Sequence, residues 1–429
     1  MKRDARNTRA EIIAVGTELL TASRLDTNSL FITRTLNGLG FTVMRKCVVG
    51  DRQSELQQSL EMALRDSEVV ITIGGLGPTN DDITREVISE TLGRELKLDD
   101  AIVSRLKERF SRSKLKIMDN NLRQAMVPKG AKPIENPNGS APGLFLKEGD
   151  ALLFLLPGPP RELEPMMVRV AELIQEHKEI TQVFHRILKV ASLAESVVDS
   201  MVEPIYKSYP QIETTVLSSP GVVELYFYWT GEADRQLAEL QLAELHSLLI
   251  DKLGKAVFSD QEEALEEVVG RLLRKSGKNL ATAESCTGGL MGKMLTDVPG
   301  SSDYYHGGVV SYSNFLKSTL IGVDENILKR FGAASEEVAR QMAIGIREHA
   351  GTDFGLSITG IAGPEGGTPE KPVGLVFIGL SDENNTQIHQ KQFPGPRKTV
   401  RIAASRYALD WLRQDLLMGD HGAHVDECE

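Results

Sequence analysis

VVITIGGLGPTNDDIT, residues 69–84, is the stretch on which the fold turns. Residues 69–75 read as a strand that runs into Gly74-Gly75-Leu76-Gly77, and a helix is expected to start near Thr84. Glycines there let the backbone turn tightly with its N–H groups exposed, and such a nest before a helix is suited to phosphate. Working outward, residues 11–16 (EIIAVG) and 41–50 (FTVMRKCVVG) also read as strands, with amphipathic helices near 27–39 and 53–66 between them. Short β-rich runs alternating with helical patterns of ten to fifteen residues predict a parallel sheet with crossover helices. Further helical segments are expected over 84–125. GLFLKEGDALLFLLPG then predicts two strands joined at Glu148-Gly149-Asp150, and a helix is expected to open at Pro160, where a missing N–H costs least.

The pattern changes after this first unit. Residues 177–258 predict a small α+β module: strands FHRILKVAS, ETTVLSS and VVELYFYW, with helices over Ala194–Ile205 and Asp234–Leu253. From about 259 a third α/β unit begins with the helix EEALEEVVGRLLRKSG. It continues through strands LATAES, GGVVSYS, FGLSITGIAG, VGLVFIGLSD and NTQIHQKQF to a last helix ending near 417. Residues 419–429, GDHGAHVDECE, are expected to form a flexible tail in which metal capture is the lesser reading. A chain of 429 residues exceeds the size at which one core usually stops growing, in keeping with several domains.

Composition narrows the function classes. Hydrophobic residues make up 41% and charged residues 25%, the balance of a folded globular chain. Residues 1–170 hold 25 Lys or Arg against 23 Asp or Glu; the counts are 7 against 13 for 171–258 and 17 against 24 for 259–429. No third is strongly basic, so nucleic-acid binding is not expected; the run Arg105 to Arg123 fits a solvated helix face. No run of apolar residues is long enough for a membrane span and no signal peptide opens the chain, which predicts a cytoplasmic protein without membrane partners. Cys47, Cys286 and Cys428 form neither a disulfide framework nor a Cys-x-x-Cys zinc pattern.

Two polar clusters carry candidate chemistry. In the first unit, Asp81 and Asp82 follow the glycine turn, and carboxylates beside a phosphate cradle suit Mg²⁺ or a similar hard cation, or else a helix cap. Glu18, Asp26, Thr27 and Asn28 follow the first strand, at the edge where parallel sheets bind ligands. The loops 136–143 (NPNGSAPG) and 156–162 (LPGPPRE) join them. In the third unit, Glu284-Ser285-Cys286-Thr287-Gly288-Gly289 ends a strand before a helix. That places the Ser285 hydroxyl beside unpaired N–H groups, as nucleophile or as N-cap. Cys286 is a rival nucleophile. No Ser-His-Asp set is evident, and a lysine held neutral by burial can serve as base. Tyr312 and Lys317, at the end of another strand, are candidates.

GTELL, DTN, GGLGPTNDD, NPNGSAPG and LPGPPRE together resemble the N-terminal domain of CinA-like proteins, similar in fold to molybdopterin-binding proteins. Where the latter carry Arg-Asp-x-Thr, this chain has Asp81-Asp82-Ile83-Thr84. ATAESCTGG, GGVVSYSN, SITGIAGPEGG and KPVGLVFIG resemble the C-terminal domain of the same family, the nicotinamide-nucleotide amidohydrolases. The resemblance implies an α/β chain: a three-layer α/β/α domain at 1–176, a small α+β module at 177–258 and an α/β amidohydrolase domain at 259–418. It implies a divalent-metal-dependent ADP-ribose pyrophosphatase held by Asp82 first, then Asp81, Glu18 and Asp26, with a monovalent cation as a further cofactor. Gly74, Gly75, Gly77, Thr79, Asn28, Gly139, Ser140, Gly158 and Arg161 would contact substrate, although a salt bridge of Arg161 with Glu162 or Glu164 is an equal reading. It further implies a metal-free amidase acting on nicotinamide mononucleotide, with Ser285 as nucleophile, Lys317 as base and Tyr312 relaying or orienting the proton. Thr287, Gly288 and Gly289 would supply the oxyanion hole, and Thr359, Gly360 and Gly363 the nucleotide contacts, although a structural Gly-Pro turn is a nearly equal reading of that loop. Partners would be small nucleotides and a second copy in a homodimer. The rival classes are a molybdopterin-binding protein and a non-enzymatic competence or DNA-damage partner.

Overall fold

The computed structural model describes residues 9–422 apart from 23, 115, 179–183 and 231–233, with side chains to 418. The chain forms two compact units, residues 1–183 and 184–429. The first contains strands β1 (Arg9–Val15), β2 (Thr42–Val49), β3 (Val69–Ile73), β4 (Leu96–Leu98), β5 (Met126–Pro128), β6 (Lys132–Ile134), β7 (Gly143–Glu148) and β8 (Ala151–Leu156). Its helices are α1 (Asn28–Gly38), α2 (Gln53–Asp66), α3 (Thr84–Thr91), α4 (Asp100–Arg112) and α5 (Pro160–His177). The main sheet runs β2-β1-β3-β8-β7-β6, parallel from β2 to β8 and antiparallel at β7 and β6.

Alternation along β1 explains the layers, because successive side chains leave a strand on opposite faces. Ile12 packs on one face with Ile32 and Leu36 of α1 and Leu163 and Val170 of α5. Ile13 packs on the other with Leu56 and Leu60 of α2, Ile88 of α3 and Leu106 of α4. The result is the three-layer α/β/α domain expected. Strand β4 interrupts the region 84–125 expected to be helical, and neither its partner β5 nor β6 was expected. Three-residue strands leave little periodic signal.

In the second unit, β9 (His185–Ala191), α6 (Glu195–Tyr206), β10 (Ile212–Ser219), β11 (Val222–Trp229), α7 (Arg235–Leu253) and β12 (Val257–Ser259) form an antiparallel sheet, β10-β11-β9-β12. The remaining elements are α8 (Leu265–Ser276), β13 (Leu280–Glu284), α9 (Leu290–Thr296), β14 (Tyr305–Val310), α10 (Asn314–Ile321), α11 (Glu325–Phe331), α12 (Glu336–Ala350), β15 (Phe354–Gly360), β16 (Leu375–Ser381), β17 (Thr386–Gln392) and α13 (Arg397–Gly422). Their sheet is β14-β13-β15-β16-β17, with β13 parallel to β14 and β15. The small module does not stand apart. Ala191 and Val222 join the core of the following domain, Arg406 of α13 donates to Ser219 Oγ and Pro220 O (both 2.8 Å), and Ser192 Oγ donates to the buried Asp410 at 2.6 Å. Among the described residues no helix is long and apolar enough to cross a membrane. Of the expected tail at 419–429, residues 419–422 continue helix α13, and 423–429 lie outside the described residues.

Candidate active sites

The carboxyl ends of β1, β2, β3 and β8 open into a cavity of about 710 Å³ in the first unit. Glu18, Asp26, Asp81 and Asp82 all line it, with Asn28, Gly74, Gly75, Gly77, Ser140 and Gly158. Asp51 and Glu162 line it too, and among the described residues Arg24 is its one cationic side chain. These three were missed in the sequence, although Asp51 sits where a signal existed, two residues beyond β2 on the ligand-binding edge. Asn28 Nδ2 donates to Gly158 O at 2.6 Å, tying two loops together.

Asp82 is engaged with its own loop. Its carboxylate accepts from the N–H groups of Gly77 and Thr79, both at 2.8 Å, and from the Thr79 hydroxyl. Buried Arg85 holds the loop from the other side, donating to Leu76 O at 2.6 Å and Gly77 O at 2.8 Å. The glycine turn is therefore not a free nest. Gly77 and Thr79 lose their donors to Asp82, while Gly75 and Leu76 keep N–H groups without a partner among the described residues. Asp26 accepts from the backbone and hydroxyl of Ser29 at the start of α1. Asp81 is exposed.

Three expected contacts lie outside the cavity lining. Thr79 serves Asp82. Gly139 is a packing glycine, since a Cβ there would come within 1.8 Å of Glu162 Oε2. Arg161 has a side chain 79% exposed and lies 4.0 Å from Glu162, which favours the salt-bridge reading. Among the described residues no three acidic, His or Cys side chains converge on one metal position.

In the second unit, β13 delivers Ser285 to the turn before α9. Gly288 and Gly289 both have positive φ, 60° and 89°, a conformation that a side chain would strain. Glu284, buried, braces this turn: its carboxylate accepts from Gly289 N at 2.9 Å, Met291 N at 3.1 Å and Gly292 N at 2.8 Å. Across from it, α10 presents Lys317, 0% exposed, whose Nζ lies 2.9 Å from Ser285 Oγ and donates to Ser311 O at 2.6 Å. Burial penalises the ammonium and lowers Lys317 from the ordinary lysine value to about 8. Cys286 is packed among apolar side chains, and burial pushes its thiol up to about 11, so it is protonated at neutral pH.

The expected roles of neighbouring residues change. Tyr312 is 60% exposed, and its hydroxyl accepts from Arg397 Nη2 at 3.2 Å; it makes no hydrogen bond to Ser285 or Lys317. A direct serine–lysine contact therefore replaces the expected relay. Of the three oxyanion-hole candidates, the Gly289 N–H goes to Glu284 and the Gly288 N–H to Ser285 O at 3.1 Å. The Thr287 N–H alone among them stays without a partner among the described residues. Thr359 is buried and donates to Ala333 O, and a Cβ at Gly360 would come within 2.4 Å of Leu375 O. Both are structural. Gly363 O accepts from Arg397 at 2.9 Å, and Arg401 Nε donates to Thr287 O at 3.2 Å. These two arginines, on the first turns of α13, were not singled out in the sequence. More than 110 residues separate them from Ser285, and no local motif marks them.

Fold and sites define a modular α/β protein: a three-layer unit with an acidic cavity at its strand ends, and a unit whose strand-to-helix turn carries a buried serine–lysine pair. The family model for the CinA C-terminal domain matches residues 262–416, and that described as the probable molybdopterin binding domain matches 11–176. CinA-like proteins of Koribacter versatilis and Acidobacterium capsulatum are each 43% identical over 413 residues, covering 95% of this chain and 100% of theirs. A crystal structure of the protein CinA from Thermoplasma acidophilum aligns with 40% of this chain and 99% of its own, at 34% identity and a TM-score of 0.38. The chain belongs to the CinA family.

Proposed function

We propose that this chain is a hydrolase with two independent sites: a serine–lysine amidase acting on nicotinamide mononucleotide, and a cation-dependent pyrophosphatase acting on ADP-ribose. The observation that carries the first is the 2.9 Å contact between Lys317 Nζ and Ser285 Oγ, with the lysine lowered to about 8. Neutral Lys317 accepts the Ser285 proton as Oγ attacks the carboxamide carbon. The oxyanion formed draws on the unpartnered Thr287 N–H. Collapse expels ammonia with the proton returned by lysine, and water hydrolyses the acyl-enzyme to nicotinate mononucleotide. Arg397 and Arg401 place two guanidinium groups beside this turn, suited to a substrate phosphate.

Charge supports the second activity. Six carboxylates and one arginine line the first cavity, so a diphosphate is repelled unless a cation accompanies it. Mg²⁺ binds through one or two carboxylates plus substrate phosphates rather than in an all-protein cage, which suits a cavity without three converging ligands. One or two of Glu18, Asp26 and Asp81 would hold it, with Asp82 keeping the loop in place; the cation would neutralise phosphate charge and polarise a phosphoryl oxygen. Gly75 and Leu76 N–H groups would then orient the phosphate. The test is a product assay on the purified chain with each substrate, with and without excess EDTA. Ammonia release is expected in both conditions and AMP only with the cation; no ammonia from nicotinamide mononucleotide, or undiminished AMP in EDTA, contradicts the respective assignment.

A further inference from the structure

The buried lysine of the second unit is short of one acceptor. Lys317 Nζ has two partners among the described residues, Ser285 Oγ at 2.9 Å and Ser311 O at 2.6 Å. An amine carries two hydrogens and a lone pair, an ammonium three hydrogens. With Ser285 at the lone pair or, after proton transfer, at the hydrogen that replaces it, one hydrogen of Nζ is left over in either state. That costs most in the ammonium, because a buried charged donor without an acceptor is the expensive case. Cys286 is the one titratable group that acts on Lys317, and the charged residues of α11 and α12, which pack against α10, do not. No carboxylate among the described residues is there to take the spare hydrogen.

Ser311 carries the matching group. The residue is 0% exposed, and its Oγ has no hydrogen-bond partner among the described residues. Buried hydroxyls of this unit usually find one: Ser357 Oγ donates to Ala339 O and Thr359 Oγ1 to Ala333 O, both at 2.7 Å, and the nearby Ser313 Oγ accepts from Leu316 N at 3.2 Å. Thr287 Oγ1 is a second orphan, but no hydrogen bond joins Thr287 to Lys317 among the described residues. Ser311 already meets Nζ through its carbonyl, and a turn about its Cα–Cβ bond moves the hydroxyl without moving that carbonyl.

We propose that Ser311 is a positioning residue for the serine–lysine pair: its hydroxyl accepts the spare hydrogen of Lys317 once the lysine has taken the Ser285 proton. The covalent proton moves from Ser285 Oγ to Lys317 Nζ and back; at Ser311 only a hydrogen bond forms and breaks. This role rests on the reading of Ser285 as nucleophile and Lys317 as base, and not on the substrate assigned to them.

The test is the rate at which phenylmethanesulfonyl fluoride labels Ser285 in the full chain, followed by mass across the pH range. Ser285 Oγ displaces fluoride at sulfur while Lys317 takes the proton, so the rate reads activation of the serine independently of nicotinamide mononucleotide. Wild-type labelling should rise through an inflection at about 8. In Ser311→Ala the ammonium loses its acceptor, so the inflection should fall by roughly one pH unit and the rate above it by roughly tenfold. The melting temperature should stay the same or rise, because alanine removes a buried hydroxyl that has no partner in the resting protein. An unchanged inflection, whatever the rate does, overturns the proposal. No labelling of Ser285 at any pH overturns the serine–lysine reading and this role with it, whereas a lowered inflection in a chain that releases no ammonia upholds this role and contradicts the substrate alone.

Discussion

The glycine turns of the two units look alike and behave differently. Each follows a buried parallel strand, each precedes a helix, and each is braced by a carboxylate that takes its amides: Asp82 those of Gly77 and Thr79, Glu284 those of Gly289, Met291 and Gly292. Charge-assisted bonds of this kind contribute about 1.5–3 kcal/mol each. Both turns are therefore held rigid by the protein's own anion, which takes part of each turn's amides and leaves the Gly75, Leu76 and Thr287 N–H groups without a partner among the described residues. What differs is the surroundings. At Ser285 a buried lysine lies 2.9 Å from the hydroxyl, so under the proposed reading the chain supplies its own base; at Asp82 the other lining carboxylates leave a deficit of positive charge that, on the same reading, a cation would supply.

The largest effect expected to break this contrast is at the nucleophile. Ser285→Ala should lower ammonia release by about 10³-fold or more and leave AMP production from ADP-ribose at the wild-type rate. Lys317→Met should be equally inactive yet no less stable at pH 7 by thermal melting, because it removes a charge that burial disfavours. Asp81→Asn or Glu18→Gln should reduce AMP production by roughly 10- to 100-fold, with partial recovery at high cation concentration and no change in amidase rate. Asp82→Asn should lower AMP production as well, but with a lower melting temperature, since the loop loses acceptors for Gly77 and Thr79. The smallest effect is expected for Cys286→Ala: amidase activity within about threefold of wild type, because a buried thiol raised to about 11 carries little thiolate. Loss of ammonia release in that variant would transfer the nucleophile's role.

Most of the architecture was legible because the alternation of strands with crossover helices is a strong periodic signal; Ser285 and Lys317 meet, and the four metal candidates line one cavity without three of them converging on one position among the described residues. Three kinds of information were not. Very short strands such as β4 to β6 carry no period. The direction of a side chain is not in a motif, so Tyr312 was read as a relay though its hydroxyl meets Arg397, and Thr359 as a substrate contact though it bonds Ala333. Competition for an amide is equally invisible: nothing in ESCTGG says that Glu284 will take the Gly289 N–H. Long-range arrivals such as Arg397 and Arg401 depend on the tertiary path of α13.

Whether a buried lysine, with no metal, activates Ser285 is read from the pH dependence of ammonia release from nicotinamide mononucleotide in excess EDTA. Activity requires neutral Lys317, so kcat/KM should rise with pH through a single ionisation near the lowered value of about 8, and level off above it. A profile flat across pH 6 to 9, an inflection near the ordinary lysine value, or loss of the reaction in EDTA would contradict metal-free activation by the lysine.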